Sequence, residues 1–178
     1  MAVTTENGWL QCNRDSIITP LVPGTNGVRP EVRAGVCATV LVAWCAWWHE
    51  NIYPIDTYRP RDYWGWSATN EVWNSNHLSG TAVDLNATRL PWQRYTMPKA
   101  LRDKINNVGI PLFEGTIYWG GNWSRVDEMH SQINIPQSRQ DVLLDFARRR
   151  IGADGRIDSG GADQATWEAI AAEVFGTN

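Results

Sequence analysis

Residues 75–86 have the sequence SNHLSGTAVDLN, and this stretch decides how the middle of the chain is predicted to fold. Gly80 permits a sharp turn because glycine has no Cβ to restrict its backbone. Residues 82–85, of which all but Asp84 are apolar, are predicted to form a short strand after that turn. His77 precedes the turn and Asp84 lies on the strand, so the chain can bring both side chains together. The stretch therefore predicts that His77 and Asp84 bind one metal ion.

A second polar stretch, RVDEMH at residues 125–130, ends on the last of only three histidines. Residues 129–135 alternate as a strand does, and Pro136 would stop that strand. A catalytic zinc site takes three protein ligands from histidine and carboxylate side chains and leaves one position for water. His77, Asp84 and His130 meet that requirement. A metal or an arginine must also compensate the Asp84 carboxylate, whose unpaired burial costs several kcal/mol.

The other patterns predict helices packed on a small sheet. Residues 31–50 are predicted to form a helix, because Pro30 and Glu31 suit a helix start and apolar residues on all sides indicate burial. We expect a second helix over 98–108, a strand over 117–119 before the Gly120-Gly121 turn, and loops over 1–29 and 55–73. The predicted fold class is α+β, with a small antiparallel sheet that carries the zinc site and packs against helices.

The end of the chain is predicted to differ from the rest. A basic helix is expected from about residue 138 to 150, followed by a segment rich in glycine and aspartate over 152–161 and a short helix over 166–175. We interpret residues 1–137 as a zinc domain that includes an N-terminal wrapping segment. Residues 138–178 are interpreted as a helical C-terminal appendage or linker.

Composition excludes several classes of protein. The chain has 178 residues, of which 43% are hydrophobic and 20% charged, so it is not expected to be disordered or to insert into a membrane. Its net charge of −3 leaves no basic stripe for nucleic acid. Cys12, Cys37 and Cys45 form no disulfide framework. No secretion signal opens the sequence, so synthesis is expected to end in the cytoplasm.

Both polar stretches resemble a known family of zinc peptidases. SNHLSGTAVDLN resembles the His-plus-Asp zinc motif of the D-alanyl-D-alanine carboxypeptidase and dipeptidase family, which has hedgehog signalling domains as distant relatives. WGGNWSRVDEMH, at residues 119–130, resembles the version in the L-alanyl-D-glutamate peptidases of phage endolysins. The resemblance covers roughly residues 55–135, and two separate motifs in the right order carry it.

The resemblance implies a role for each matching residue. His77, Asp84 and His130 would be the zinc ligands, Asp127 the general base, and Arg59 the residue that polarises the scissile carbonyl. Many relatives have an aromatic residue directly after the second histidine, where this chain has Ser131. That difference is expected to affect packing beside the site more than the metal.

The identity of the base is open on geometry alone. If residues 127–130 were all regular strand, the period of two would place Glu128, and not Asp127, on the face of His130. The resemblance favours Asp127, which requires the chain to bend before His130. We prefer Asp127, because functional carboxylates often lie at irregular entries into rigid strands.

The function that the resemblance implies is cleavage of the stem peptide of bacterial peptidoglycan, at the L-Ala–D-Glu bond, to lyse a phage host. Such a protein would act as a monomer on the cell wall after release through a holin. One alternative is a D-Ala-D-Ala carboxypeptidase or dipeptidase, because the ligands are shared and specificity lies in loops. Another is a zinc-containing cell-wall-binding module without catalysis.

Overall fold

The computed structural model describes residues 3–57 and 61–158. Two predictions fall outside these residues: the role of Arg59 and the short helix over 166–175. Within the described part of the chain, no helix is both long and apolar enough to cross a membrane.

The main sheet has four short antiparallel strands in the order β3-β4-β6-β5. They are β3 (Tyr63–Trp64), β4 (Ala82–Leu85), β5 (Ile117–Trp119) and β6 (His130–Ile133), and a separate two-stranded ladder joins β1 (Ile17–Ile18) to β2 (Val32–Arg33). In the register of β4 and β6, Asp84 lies directly opposite His130 and Ala82 opposite Gln132. The predicted α+β class, with a small antiparallel sheet, is confirmed.

The predicted strands differ from the observed ones mainly in length. The predictions over 82–85 and 117–119 coincide with β4 and β5, whereas β6 is shorter than the predicted 129–135. The loop predicted over 55–73 contains β3, which pairs with β4 through Tyr63 and Trp64. Two residues are too few to show a strand period, so only the pairing with β4 reveals this strand.

The central helix α1 (Val36–Asn51) is buried nearly all round, as predicted, but begins later than residue 31. Val32 and Arg33 pair with the β1 strand, and Gly35, at a φ of 82°, precedes the first helical residue. Helix-start residues at 30 and 31 are therefore overridden by a tertiary strand pairing. The prediction for the start of this helix is wrong by five residues, measured from residue 31 to Val36.

The second predicted helix is present and continues past residue 108. It consists of α2 (Lys99–Lys104), a π-helical turn (Ile105–Gly109) and α3 (Ile110–Leu112), and Pro98 caps its start. Ile105 and Leu112 are buried on its inner side. The turn predicted at residues 120 and 121 is the start of a short 3₁₀ helix, Gly120–Asn122.

Helix α4 (Gln140–Arg150) matches the predicted basic helix and packs on the same core as α1. Leu143 and Phe146 are buried, and the Phe146 ring lies 5.9 Å from that of Phe113 between centroids. The domain boundary at residue 137 stays a prediction.

Candidate metal centre

The turn that carries His77 is fixed by its two ends. His77 lies in a 3₁₀ helix, Asn76–Ser79, at whose start the Ser75 hydroxyl accepts a hydrogen bond from the His77 backbone amide at 3.3 Å. Gly80 ends that helix with a φ of 68°, a left-handed conformation that glycine adopts without steric cost. A Cβ at Gly80 would lie 2.9 Å from the Arg33 nitrogen. Both the conformation and the close approach therefore require glycine before β4.

The structure brings His77, Asp84 and His130 into one buried group. Asp84 Oδ1 lies 3.2 Å from His77 Nε2 and 3.0 Å from His130 Nδ1. One nitrogen or carboxylate oxygen from each residue lies within 4.8 Å of the others, a spacing at which they could hold a metal ion. The direct pairing of Asp84 with His130 across β4 and β6 explains why both side chains leave the same face of the sheet.

Hydrogen bonding directs the lone pair of His77 toward Asp84. The Nδ1 atom of His77 lies 2.7 Å from the carbonyl oxygen of Gly65, which can only accept a hydrogen bond. His77 Nδ1 therefore carries a proton, and in the neutral ring Nε2 is an acceptor. That acceptor faces the Asp84 oxygen, also an acceptor, at 3.2 Å. A cation between the two atoms removes their repulsion.

The same reasoning applies to His130, where the side-chain oxygen of Gln132 takes the part that the Gly65 carbonyl plays for His77. His130 Nε2 lies 3.0 Å from Gln132 Oε1, so Nε2 carries a proton, and in the neutral ring the lone pair of Nδ1 faces Asp84. A hydrogen bond on the distal ring nitrogen commonly fixes the tautomer of a metal-binding histidine. One divalent cation would satisfy His77, Asp84 and His130 together.

Without an ion, a protonated His77 and the Asp84 carboxylate stabilise each other, and a divalent cation would take the place of that proton. Burial by itself would raise the pKa of Asp84, but the charge of His77 and the hydrogen bonds from both histidines outweigh it and hold this pKa well below its usual range. Burial opposes protonation of His77, yet the Asp84 carboxylate and the Gly65 carbonyl raise the pKa of His77. Two imidazole nitrogens and one carboxylate oxygen are a donor set typical of zinc, so these residues fit the ion.

Asp127 lies on the same cleft as the three grouped residues and is 8% exposed. Its Oδ1 atom has no hydrogen-bond partner among the described residues. Burial, and then the nearby charge of Asp84, raise the pKa of Asp127 to about 6. A carboxyl group with a pKa near neutrality suits proton transfer, because its base form is present at working pH and still holds a proton well.

Glu128 points to a different environment. It is fully buried, and its Oε2 atom accepts hydrogen bonds from the backbone amides of Thr96 and Met97 at 2.7 and 2.8 Å. Arg102 approaches its other oxygen at 3.7 Å. Residues 128 and 129 form a turn and β6 begins at His130, so the regular strand that would favour Glu128 is absent. Glu128 therefore ties the loop around residue 96 to the sheet.

The three donor atoms face a cleft of about 920 Å³. Aromatic side chains that the sequence did not single out line it, namely Trp64, Trp66, Trp92 and Trp123. The Trp123 ring lies 4.9 Å from that of His130, and the Arg125 guanidinium lies 4.5 Å from the Trp92 ring. Arg61, two residues after Arg59, also reaches the cleft. Tryptophan occurs both in core helices and in clefts, so composition alone could not identify these four residues as cleft residues.

Fold and site together define the class: an α+β domain with a buried His-Asp-His group that could hold a metal ion and that opens to a cleft. Comparison with known families supports a more particular statement. A family model described as D-alanyl-D-alanine carboxypeptidase matches residues 61–133, less than half of the chain. The match includes His77, Asp84, Asp127 and His130, supports a metallopeptidase, and suggests a substrate of the peptidoglycan type. No curated protein and no solved structure matches the chain significantly.

Proposed function

We propose that this protein is a zinc-dependent peptidase that hydrolyses the L-Ala–D-Glu bond of peptidoglycan stem peptides and serves a phage in host lysis. One observation carries the proposal. The acceptor atoms of His77, Asp84 and His130 converge at the floor of a wide cleft, and the carboxyl group of Asp127, whose pKa burial raises to about 6, lies on the wall of the same cleft.

In this proposal His77 Nε2, Asp84 Oδ1 and His130 Nδ1 hold the ion. Zinc bound there would supply the Lewis acidity that polarises a water molecule and the scissile carbonyl. The buried side chains exclude bulk solvent from the floor of the cleft, which strengthens electrostatic interactions at that point. The hydrogen bonds from His77 to Gly65 and from His130 to Gln132 keep both rings oriented for this task.

Asp127 is the general base of the proposed reaction. Its Oδ1 atom takes a proton from the attacking water and later gives that proton to the leaving amine. Proton transfer by a positioned side chain contributes about 10²–10⁴-fold to a rate. Arg59 is proposed to hold the developing negative charge on the carbonyl oxygen.

A second candidate is removal of the terminal D-Ala by a D-Ala-D-Ala carboxypeptidase. The description of the matching family favours it, and the same ligands and base would serve. The two reactions differ in the bond that the cleft walls place over the site. The walls contain exposed side chains from several loops, including Trp64, Trp92 and Arg125, so specificity resides there.

The test is digestion of purified bacterial peptidoglycan, with mass spectrometry of the fragments and metal analysis of the protein. We expect one zinc ion per chain, fragments with a new amino terminus at D-Glu, and loss of cleavage with a chelator that zinc restores. Release of free D-Ala without those fragments would support the carboxypeptidase. Binding to peptidoglycan without any fragment would indicate a binding module, and absence of zinc would refute the proposal.

Lysis is tested separately in cells that produce the protein. We expect these cells to lyse only when the inner membrane is permeabilised, because the substrate lies outside that membrane. An Asp84→Ala variant is the matched control, since it should accumulate to the same level without lysing the cells. Equal lysis by the variant would contradict a role for this site.

A further inference from the structure

A polar cluster behind His130 joins the N-terminal segment to the metal centre. Gln132 Oε1 lies 3.0 Å from His130 Nε2 and 2.6 Å from Asn76 Nδ2. On the other side, Glu6 Oε2 accepts hydrogen bonds from Gln132 Nε2 at 2.8 Å and from Asn76 Nδ2 at 2.9 Å. Gln132 and Asn76 are each 3% exposed, whereas Glu6 is exposed at the rim of the cleft.

Glu6 decides which way the Gln132 amide points. A carboxylate oxygen only accepts hydrogen bonds, so the Gln132 atom beside Glu6 must be the NH₂ group. The Gln132 oxygen is then the atom that faces His130 Nε2. Asn76 favours the same orientation of the Gln132 amide. Its own side-chain oxygen accepts from the Asn7 backbone amide at 3.0 Å, which leaves its NH₂ group to donate to Glu6 and Gln132.

The opposite orientation of Gln132 would disable the histidine as a ligand. An NH₂ group facing His130 Nε2 requires that nitrogen to accept, which moves the ring proton to Nδ1. Nδ1–H would then point at Asp84 Oδ1, 3.0 Å away, and would offer no lone pair to a metal. The choice between a ligand and a plain hydrogen-bond donor therefore depends on the Gln132 amide.

We infer that Glu6 is a positioning residue of the metal centre: through Gln132 it holds His130 in the tautomer whose Nδ1 atom is free to bind the ion. The inference rests on the proposed function for the identity of the ion. It extends that proposal to a residue far outside the region, 61–133, that the family model matches.

The N-terminal segment is held where Glu6 needs it. Asn7 Nδ2 donates to Thr81 Oγ1 and to the Ile133 carbonyl, both at 2.9 Å, so the segment lies on the ends of β4 and β6. Trp9 is buried and donates from Nε1 to the Ile135 carbonyl at 2.8 Å. The Glu6 backbone amide itself donates to the Asn74 carbonyl at 2.8 Å, so these contacts together hold Glu6 in place and make the segment part of the site.

The test uses the full chain with Glu6→Ala, Glu6→Gln and, as the matched control, Glu71→Ala. Glu71 is also an exposed carboxylate on this cleft, so its removal reproduces the change in charge without the change in the network. The measurements are zinc affinity, by competition with a chromophoric chelator, and the tautomer of His130 in the zinc-free protein, by ¹⁵N NMR of the ring nitrogens.

We expect Glu6→Ala to weaken zinc binding by roughly tenfold or more, as loss of a group that orients a ligand commonly does. At a pH where the ring is neutral, His130 should then populate both tautomers, whereas in the parent the neutral ring should keep its proton on Nε2. Glu6→Gln should restore both properties, because its amide oxygen can accept the same two hydrogen bonds. Glu71→Ala should match the parent.

Two results would overturn the inference: Glu6→Ala with the affinity and tautomer of the parent, or Glu71→Ala with the same loss as Glu6→Ala. A parent protein that binds no zinc would instead refute the proposed function. The tautomer of His130 would still decide whether Glu6 acts on the ring, because that measurement needs no metal.

Discussion

At the scale of single residues, two adjacent carboxylates have opposite environments. Asp127 faces the cleft with an oxygen that has no hydrogen-bond partner among the described residues, and its pKa is raised. Glu128 instead accepts hydrogen bonds from the backbone amides of Thr96 and Met97. The turn at residues 128 and 129 separates them, because it rotates Glu128 away before β6 begins. This contrast supports Asp127 as the base.

Asp127→Asn is expected to keep zinc and lose activity. The amide keeps the shape of the side chain but cannot take a proton from water, so kcat should fall by about 10²–10⁴-fold. The measurements are the zinc content and the rate of release of peptidoglycan fragments. Glu128→Gln is the neighbouring control: we expect a loss of about 1–3 kcal/mol in the free energy of unfolding, with activity retained by the folded protein. Parent-like hydrolysis by Asp127→Asn would rule out this base.

The residues in and around the His77-Asp84-His130 group differ in how far the sequence could predict their place in the site. His77, Asp84 and His130 lie in two short motifs, so spacing and residue type suffice to group them, and their role as ligands stays a prediction. Glu6 and Gln132 are 126 residues apart and belong to no motif. Their contact depends on where the folded N-terminal segment lies, and nothing local in the sequence encodes that position.

At the scale of elements, the connection between β5 and β6 positions Asp127 by a close backbone approach. The Asp127 amide donates to the Gly120 carbonyl at 3.0 Å, which closes the loop onto the end of β5. A Cβ at Gly120 would lie 2.6 Å from the Asp127 carbonyl oxygen and 3.1 Å from His130 Cβ. Only glycine lets this loop close so near to the two residues.

Gly120→Ala is therefore expected to disturb the site as well as the fold. Overpacking of this kind costs about 1–3 kcal/mol, and the shift of residues 127–130 should also weaken zinc binding. Gly109→Ala is the control, since its Cβ would meet the Trp47 ring at 2.4 Å in the core. We expect comparable losses in urea unfolding but parent-like zinc affinity for Gly109→Ala. Equal zinc affinity in both variants would show that the loop closure does not position His130.

Helix α1 buries two thiols that respond to alkaline pH. Burial raises the pKa of Cys37 and of Cys45 from the ordinary 9.0 to about 12. In the unfolded chain these thiols ionise near pH 9, so the stabilising difference is complete below that pH and is lost as pH rises toward 12. Each thiol should lower the free energy of unfolding by about 1.4 kcal/mol per pH unit in this window.

The measurement is urea unfolding at several pH values between 8 and 11. The double variant Cys37→Ala, Cys45→Ala should lose stability less steeply with pH than the parent, because the other titrating groups are common to both. Identical slopes would mean that the two thiols ionise equally in folded and unfolded protein, in conflict with their burial.

Sequence predicted the elements with strong local patterns and missed those set by partners. The largely apolar strand β4 and the helix α1, which is apolar on all sides, could be predicted from the sequence. The strand β3, in contrast, exists only through its pairing with β4. The start of α1 moved because β2 pairs with β1, which the local signals at residues 30 and 31 cannot reveal. Pairings between distant segments override weak local preferences.

At the scale of the whole molecule, the group formed by His77, Asp84 and His130 joins parts of the chain that are far apart in sequence. The 3₁₀ helix with His77, the β4 strand with Asp84 and the β6 strand with His130 meet there, and Glu6 ties in the N-terminal segment. In an unfolded chain these donor atoms are not held close to one another. Metal binding is therefore expected to stabilise the entire domain rather than the site alone.

Zinc should raise the thermal stability of the full chain, and the gain should grow with the logarithm of the free zinc concentration once that concentration exceeds the dissociation constant. At free zinc 100 times the dissociation constant, the folded state gains about 2.7 kcal/mol, because the ion binds only that state. For a chain of this size, that gain corresponds to a rise in Tm of roughly 5–10 °C. Scanning calorimetry of chelator-treated protein, titrated with zinc, measures it. A His77→Ala variant should show little or no rise, and an equal rise in that variant would place the stabilising zinc away from the cleft.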